Sequence, residues 1–102
     1  MHPGEDASDL NHDGTDLLSL IREVSLFSLE INNKNLRSDE EALIDSMAGL
    51  NIQLIGQALF RVSVSLMRVS SKLENWQNKQ IARLLGKKCA DIGVSISLKH
   101  SA

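Results

Sequence analysis

A chain of 102 residues is long enough for one domain, and its hydrophobic share of 42% with only 3% aromatic residues leaves Leu, Ile, Val and Met to build the core. Cys89 is the single cysteine, which excludes an internal disulfide and suits a reducing compartment, and no run of residues approaches the length of an apolar spanning helix. The formal net charge of −2 conceals an asymmetry, because residues 1–50 hold eleven acidic and three basic side chains while residues 51–102 hold two acidic and eight basic ones. Such a split suits head-to-tail pairing of the halves or a basic surface meant for a polyanion.

The opening MHPGEDASDLNHDGTD is acidic and lacks the apolar stretch of a signal peptide, so a cytoplasmic chain is expected. Residues 1–14 contain Pro3, Gly4 and Gly14, with Leu10 the only large apolar side chain apart from Met1, and read as a flexible acidic tail. Asp9, Asn11, Asp13 and Gly14 copy the first half of a calcium-binding loop, but Leu20 stands where the bidentate Glu is needed. Thr15 is then the N-cap of a first helix, with Leu17, Leu20, Ile21, Val24, Phe27 and Ile31 recurring at three- and four-residue steps. That helix should stop in Asn32-Asn33-Lys34-Asn35, where Asn side chains compete for the backbone. Ser38 to Glu41 is a capping box opening a second short helix with Leu43, Ile44 and Met47, which closes at Gly49 as its C′ residue.

After Asn51, a good N-cap, Ile52, Ile55, Leu59, Val62, Leu66, Val69, Leu73 and Trp76 alternate steps of three and four, a heptad seam along a long third helix. Two alternatives stay open. Ser71 and Glu74 form a second capping box at which this helix could restart, and Val62-Ser63-Val64-Ser65-Leu66 alternates like Val94-Ser95-Ile96-Ser97-Leu98, so the two segments could pair as strands. Beyond Trp76 the seam shifts to Ile81, Leu84 and Leu85, and Gly86 reads as a stop.

The string LLSLIREVSLFSLEINNKNLRSDEEA resembles the opening of the FlhD family, the flagellar master regulators of bacteria. Ile21, Glu23, Val24, Leu26, Leu29, Leu36, Arg37 and Asp39 fall in step with that family's pattern without a gap, and Met47-Ala48-Gly49-Leu50 is similar to its Leu-Gly turn. Ser25 stands where the family has Asn, Cys89 lies away from the family's cysteine, and no Phe follows Phe60. The resemblance implies an all-helical, non-enzymatic dimer that joins a partner subunit to activate transcription, with the partner making much of the DNA contact.

Independently of that family, Arg61, Arg68, Lys72, Lys79 and Arg83 fall within a stripe roughly 60° wide if residues 52–85 form one helix turning about 100° per residue. A basic stripe beside an apolar seam can meet phosphates while the seam dimerises, and it can equally be a solvated face. His2, His12 and His100 lie near the chain ends, no nucleophile, phosphate-loop or zinc spacing occurs, and no enzyme, metal or cofactor is expected. Cys89 follows Lys87 and Lys88, which would lower its pKa, whereas burial would quieten it.

The expectation is an all-α domain of three to five helices over residues 15–93, with residues 94–102 as a C-terminal tail or short extended segment. Leu20, Val24, Phe27, Ile31, Ile55, Leu59, Val62, Leu66, Val69, Leu73 and Trp76 should build the core and a homodimer or partner interface. Two functions follow: a transcriptional regulator resembling FlhD, with Arg61, Arg68, Lys72, Lys79 and Arg83 near DNA, or a helical chaperone or adaptor that holds a partner helix without nucleic acid. Neither involves a membrane or a small-molecule substrate.

Overall fold

The computed structural model describes the backbone of residues 4–100 and the side chains of residues 16–99. Four α-helices follow one another: α1 (Gly4–Ile31), α2 (Lys34–Ala48), α3 (Ile52–Lys72) and α4 (Trp76–His100). The chain is all-α, and no strand occurs among the described residues. α3 lies against α2 and α4, and α1 closes the ring by touching the same two helices without approaching α3. The result is a bundle of 49 × 25 × 20 Å.

Each helix end has a local cause. α1 runs into Asn32, whose φ of 50° is the left-handed conformation Asn tolerates, and whose N–H donates to the Ser28 carbonyl at 2.9 Å. Asn33 then caps α2 by accepting from the Leu36 N–H at 3.0 Å. The second helix therefore opens four residues before the Ser38 capping box, and Ser38 is already inside it. At the other end of α2, Gly49 has an ordinary φ of −81° and it is Leu50, at 52°, that takes the left-handed position. Leu50 N–H donates to Met47 O and Asn51 N–H to Ser46 O, the paired bonds of a Schellman ending. Gly49 is thus the C-cap, not C′, and a Leu bears the strain that a Gly would avoid. Asn51 caps α3 as expected, its side chain accepting from Leu54 N–H at 3.1 Å.

The long third helix is in fact two helices. Leu73 turns extended (ψ 138°), and Asn75 restarts the chain as α4 by accepting from Asn78 N–H at 3.0 Å. α4 folds back along α3, so the stretch after Lys72 does not continue the α3 seam. The restart comes at Asn75, not at Ser71, whose hydroxyl donates to the Arg68 carbonyl within α3. Nor is Gly86 a stop. It sits inside α4, where a Cβ would lie 3.2 Å from Met67 Sδ and 3.4 Å from the Ser63 carbonyl oxygen. Ser63 Oγ donates to the Gly86 carbonyl at 2.7 Å, which ties the two backbones together.

The ends of the chain differ from expectation as well. α4 continues through residues 94–98 to His100, and Ile96 is packed against the core, so this segment is neither a tail nor a strand. The partner segment Val62–Leu66 is helical too, which removes the strand pairing. α1 starts at Gly4, well ahead of Thr15, and Asp9–Gly14 lie in helical backbone. The side chains of residues 4–15, including that calcium-loop pattern and His12, lie outside the described residues, as do His2 and the His100 side chain.

One apolar cluster holds the bundle. Leu17, Leu20, Val24 and Phe27 of α1, Leu36 and Leu43 of α2, and Ile55, Leu59, Val62 and Leu66 of α3 meet Ala82, Leu85 and Cys89 of α4. Ile31 and Leu73 pack at its margin, and Val69 is buried as well. Every apolar position expected at a dimer interface, Trp76 excepted, is therefore used within one chain. The seam is internal to one chain. Trp76, placed by spacing on the seam, instead begins α4 and is 70% exposed.

Candidate interaction surfaces

The packing of α4 differs on its two flanks. Toward α3 it presents small residues, Ala82, Gly86 and Gly93, and Met67 and Phe60 of α3 lie over the two glycines. Toward α1 it presents Ile81, Leu84, Leu85 and Lys88, which with Glu23, Leu26, Phe27 and Glu30 line an open groove of about 340 Å³. Phe27 and Leu85 are buried at its floor, while Leu26 (63%) and Leu84 (54%) stand exposed on its walls. Lys88 Nζ lies 3.5 Å from Glu23 Oε2 at one end, and Glu30 lies at the other. Large side chains hold α1 and α4 apart along this line, so apolar surface stays open that a closer approach would have covered.

The five basic residues do not form one stripe, because the helix that would align them turns back after Lys72. Arg68 and Lys72 line a polar cleft between α2 and α3 together with Asn33, Ser38, Asp39 and Ser65. Ser65 Oγ donates to Asp39 there, joining the two helices. Arg61 lines a smaller depression further along the same α2–α3 flank, with Ala42, Ser46 and Leu54. Lys79, half-buried, and Arg83, exposed, belong to α4. Between the two basic groups runs the exposed row Phe60, Val64 and Met67 at four- and three-residue steps on α3. None of the five cations lies within 4.0 Å of a carboxylate among the described residues.

Cys89 is fully buried, and desolvation pushes its thiol pKa from 9.0 up to about 12. Burial thus outweighs the neighbouring lysines, and the thiol stays protonated and inert at neutral pH. Among the described residues no three His, Cys, Asp or Glu side chains gather in a way that could hold a metal ion. No helix there is long and apolar enough to cross a membrane.

The groove has no signature in the sequence. Leu26 and Leu29 widen the α1 stripe, and Ile81 and Leu84 mark a seam shift, but nothing in their spacing says that α4 returns to lie beside α1. No protein-family model, curated protein or solved structure matches this chain.

Proposed function

We propose that this chain is a non-enzymatic helical adaptor that receives an amphipathic helix of a partner protein in the groove between α1 and α4. The observation that carries this reading is the open apolar groove itself, with Leu26 and Leu84 as walls and Phe27 and Leu85 as floor. A helix docks in such a groove through apolar anchors at i, i+4 and i+7. Glu30 at the open end favours a partner with a cation beside those anchors. A displayed library of helical peptides, selected on the protein, should enrich that spacing. Binding of the selected peptides should fall at least about tenfold, about 1.4 kcal/mol, for Leu26→Glu and Leu84→Glu. Equal binding to the variants and the wild type would remove the groove as the site.

A second reading is the regulator that resembles FlhD, in which the chain acts as a homodimer beside a partner subunit on DNA. Its support is the set of cations Arg61, Arg68, Lys72, Lys79 and Arg83, none of them held by a carboxylate among the described residues. Such cations would raise affinity without reading sequence, since phosphate contacts position and do not specify. Each cation withdrawn from a phosphate should flatten the slope of log K against log salt by about 0.9. An unchanged slope when Arg61, Arg68 and Lys72 are neutralised together would count against this reading. In both readings the first partner is a protein.

A further inference from the structure

The outer face of the α3–α4 hairpin combines an apolar row with cations on both sides. Phe60, Val64 and Met67 stand along it at steps of four and three, 39%, 50% and 49% exposed. Arg61 and Arg68, each one residue beyond Phe60 or Met67, lie on the α2 side, where they line the two α2–α3 depressions. On the other side Gly86 and Gly93 of α4 meet Met67 and Phe60, and Arg83 and Lys87, on either side of Gly86 in sequence, are exposed. None of these four cations has a carboxylate within 4.0 Å among the described residues. α3 contains no acid, and the single acid of α4, Asp91, lines a pocket with Asp16 and Glu23 of α1 on the far flank.

We propose that this face is a docking site separate from the α1–α4 groove, and that its occupant is an acidic amphipathic helix of a partner protein. That helix carries apolar side chains along its centre and carboxylates on both edges. Spacing and charge select it together. Steps of four and three along α3 are those of a helix seam, and Arg61 and Arg68 stand beside it where charges choose the partner of a paired helix. Arg83 and Lys87 bring the same sign to the opposite edge, so carboxylates on both edges of the incoming helix are what complement the face.

Phosphate backbone would neutralise the cations but leave Phe60, Val64 and Met67 uncovered. A lipid surface calls for apolar groups that project past the cations into the acyl boundary. Phe60 and Met67 instead fold along α4. The Phe60 ring atoms Cε2 and Cζ lie 3.4 Å from where a Cβ on Gly93 would be, and Met67 Sδ lies 3.2 Å from the same point on Gly86. Such a low row suits a helix laid across it.

Fluorescence anisotropy with designed helical peptides tests the site. The first has Leu at i, i+4 and i+7 and Glu along both edges; a second has Lys in place of Glu on one edge, and a third has Ser in place of Leu. In about 0.15 M salt the first should bind at least about tenfold more tightly than the other two, than duplex DNA or than phosphatidylserine vesicles. Val64→Glu should weaken the first peptide at least about tenfold. Leu26→Glu with Leu84→Glu, in the α1–α4 groove, should leave it unchanged. Arg61→Glu with Arg68→Glu should weaken the first peptide and strengthen the second. All these side chains are exposed, so the variants should keep the wild-type melting curve. Equal binding of the Ser peptide would reduce the face to a patch of charge, and tighter binding of DNA or vesicles would assign it to phosphate. Either result, or a Val64→Glu variant that binds like the wild type, overturns the proposal.

Discussion

The two sides of α4 are built from the same helix and do opposite things. Against α3 the residues are small, the backbones come close, and the polar group there is satisfied: Ser63 Oγ donates to the Gly86 carbonyl. On the α1 side of the bundle the residues are large, a groove stays open toward α4, and two buried oxygens toward α2, Ser28 Oγ and Glu40 Oε2, have no hydrogen-bond partner. The α3–α4 hairpin is therefore the part of the chain where each change must be absorbed by a neighbour. The α1 layer is where surface and polar capacity are left over, and binding needs both.

The largest expected effect comes from forcing the tight side open. Gly86→Val places branched carbon against Met67 Sδ and the Ser63 carbonyl, both already within 3.4 Å of where a single Cβ would be. Overpacking of this kind, together with loss of the Ser63 bond, should lower stability by about 3 kcal/mol in urea unfolding. A loss under about 1 kcal/mol would mean the two helices can slide apart freely, and the contrast between the flanks would disappear.

Cys89 and Lys88 are neighbours on α4 that fall on opposite sides of the same boundary. Lys88 reaches the groove and pairs with Glu23, whereas Cys89 is sealed in the core with its pKa raised to about 12. Below pH 9 the thiol is protonated in both folded and unfolded chains, and it adds no pH dependence. Above pH 9 only the unfolded chain releases the proton, so stability falls by up to about 1.4 kcal/mol per pH unit until the folded thiol also ionises near 12. The difference between wild type and Cys89→Ala, measured from pH 8 to 11, should grow in that direction. A constant difference would place Cys89 in contact with water. The native thiol should also resist a disulfide reagent until the chain unfolds.

How far this architecture is legible in the sequence depends on whether the signal is local. The α1 stripe, its end in the Asn run and the Asn51 cap can all be read there, because spacing and capping chemistry act within one or two turns. The turn after Lys72 cannot, since Leu73 and Trp76 keep the heptad spacing across it, and only Asn75 with Asn78 marks the restart. Gly86 misleads for a related reason. A stop and a close helix approach both call for a missing Cβ, and only the position of Met67 and Ser63 decides between them. Val94-Ser95-Ile96-Ser97-Leu98 alternates like a strand, yet in α4 it places Ile96 inward and leaves Val94 and Leu98 exposed, which a helix allows equally. The α1–α4 groove joins residues from opposite ends of the chain, and no local pattern contains it.

The α1–α2 packing can be sharpened without touching the groove. Glu40 shares the buried face of α2 with Leu36 and Leu43, where its Oε2 finds no donor. Glu40→Leu keeps the volume and removes the unmatched oxygen, so stability should rise by about 1 kcal/mol. A fall of that size would show that the carboxylate is satisfied in solution and that the α1 side is as well matched as the hairpin.

The smallest effect on stability is the most informative about purpose. Leu26 and Leu84 are the largest exposed apolar groups on the groove walls, and each already stands mostly in water. Replacing both by Ser should change stability by no more than about 0.5 kcal/mol, since little buried area is lost. The same double variant should abolish docking of a helical peptide in the groove, because those two side chains supply its anchoring walls. Gly86→Val would show the converse at temperatures where it stays folded, with stability lost and docking kept. If Leu26→Ser with Leu84→Ser were instead strongly destabilising, the groove walls would belong to the core of the free protein. The leucines would then be structural, and the open line between α1 and α4 would be a packing defect with no binding role.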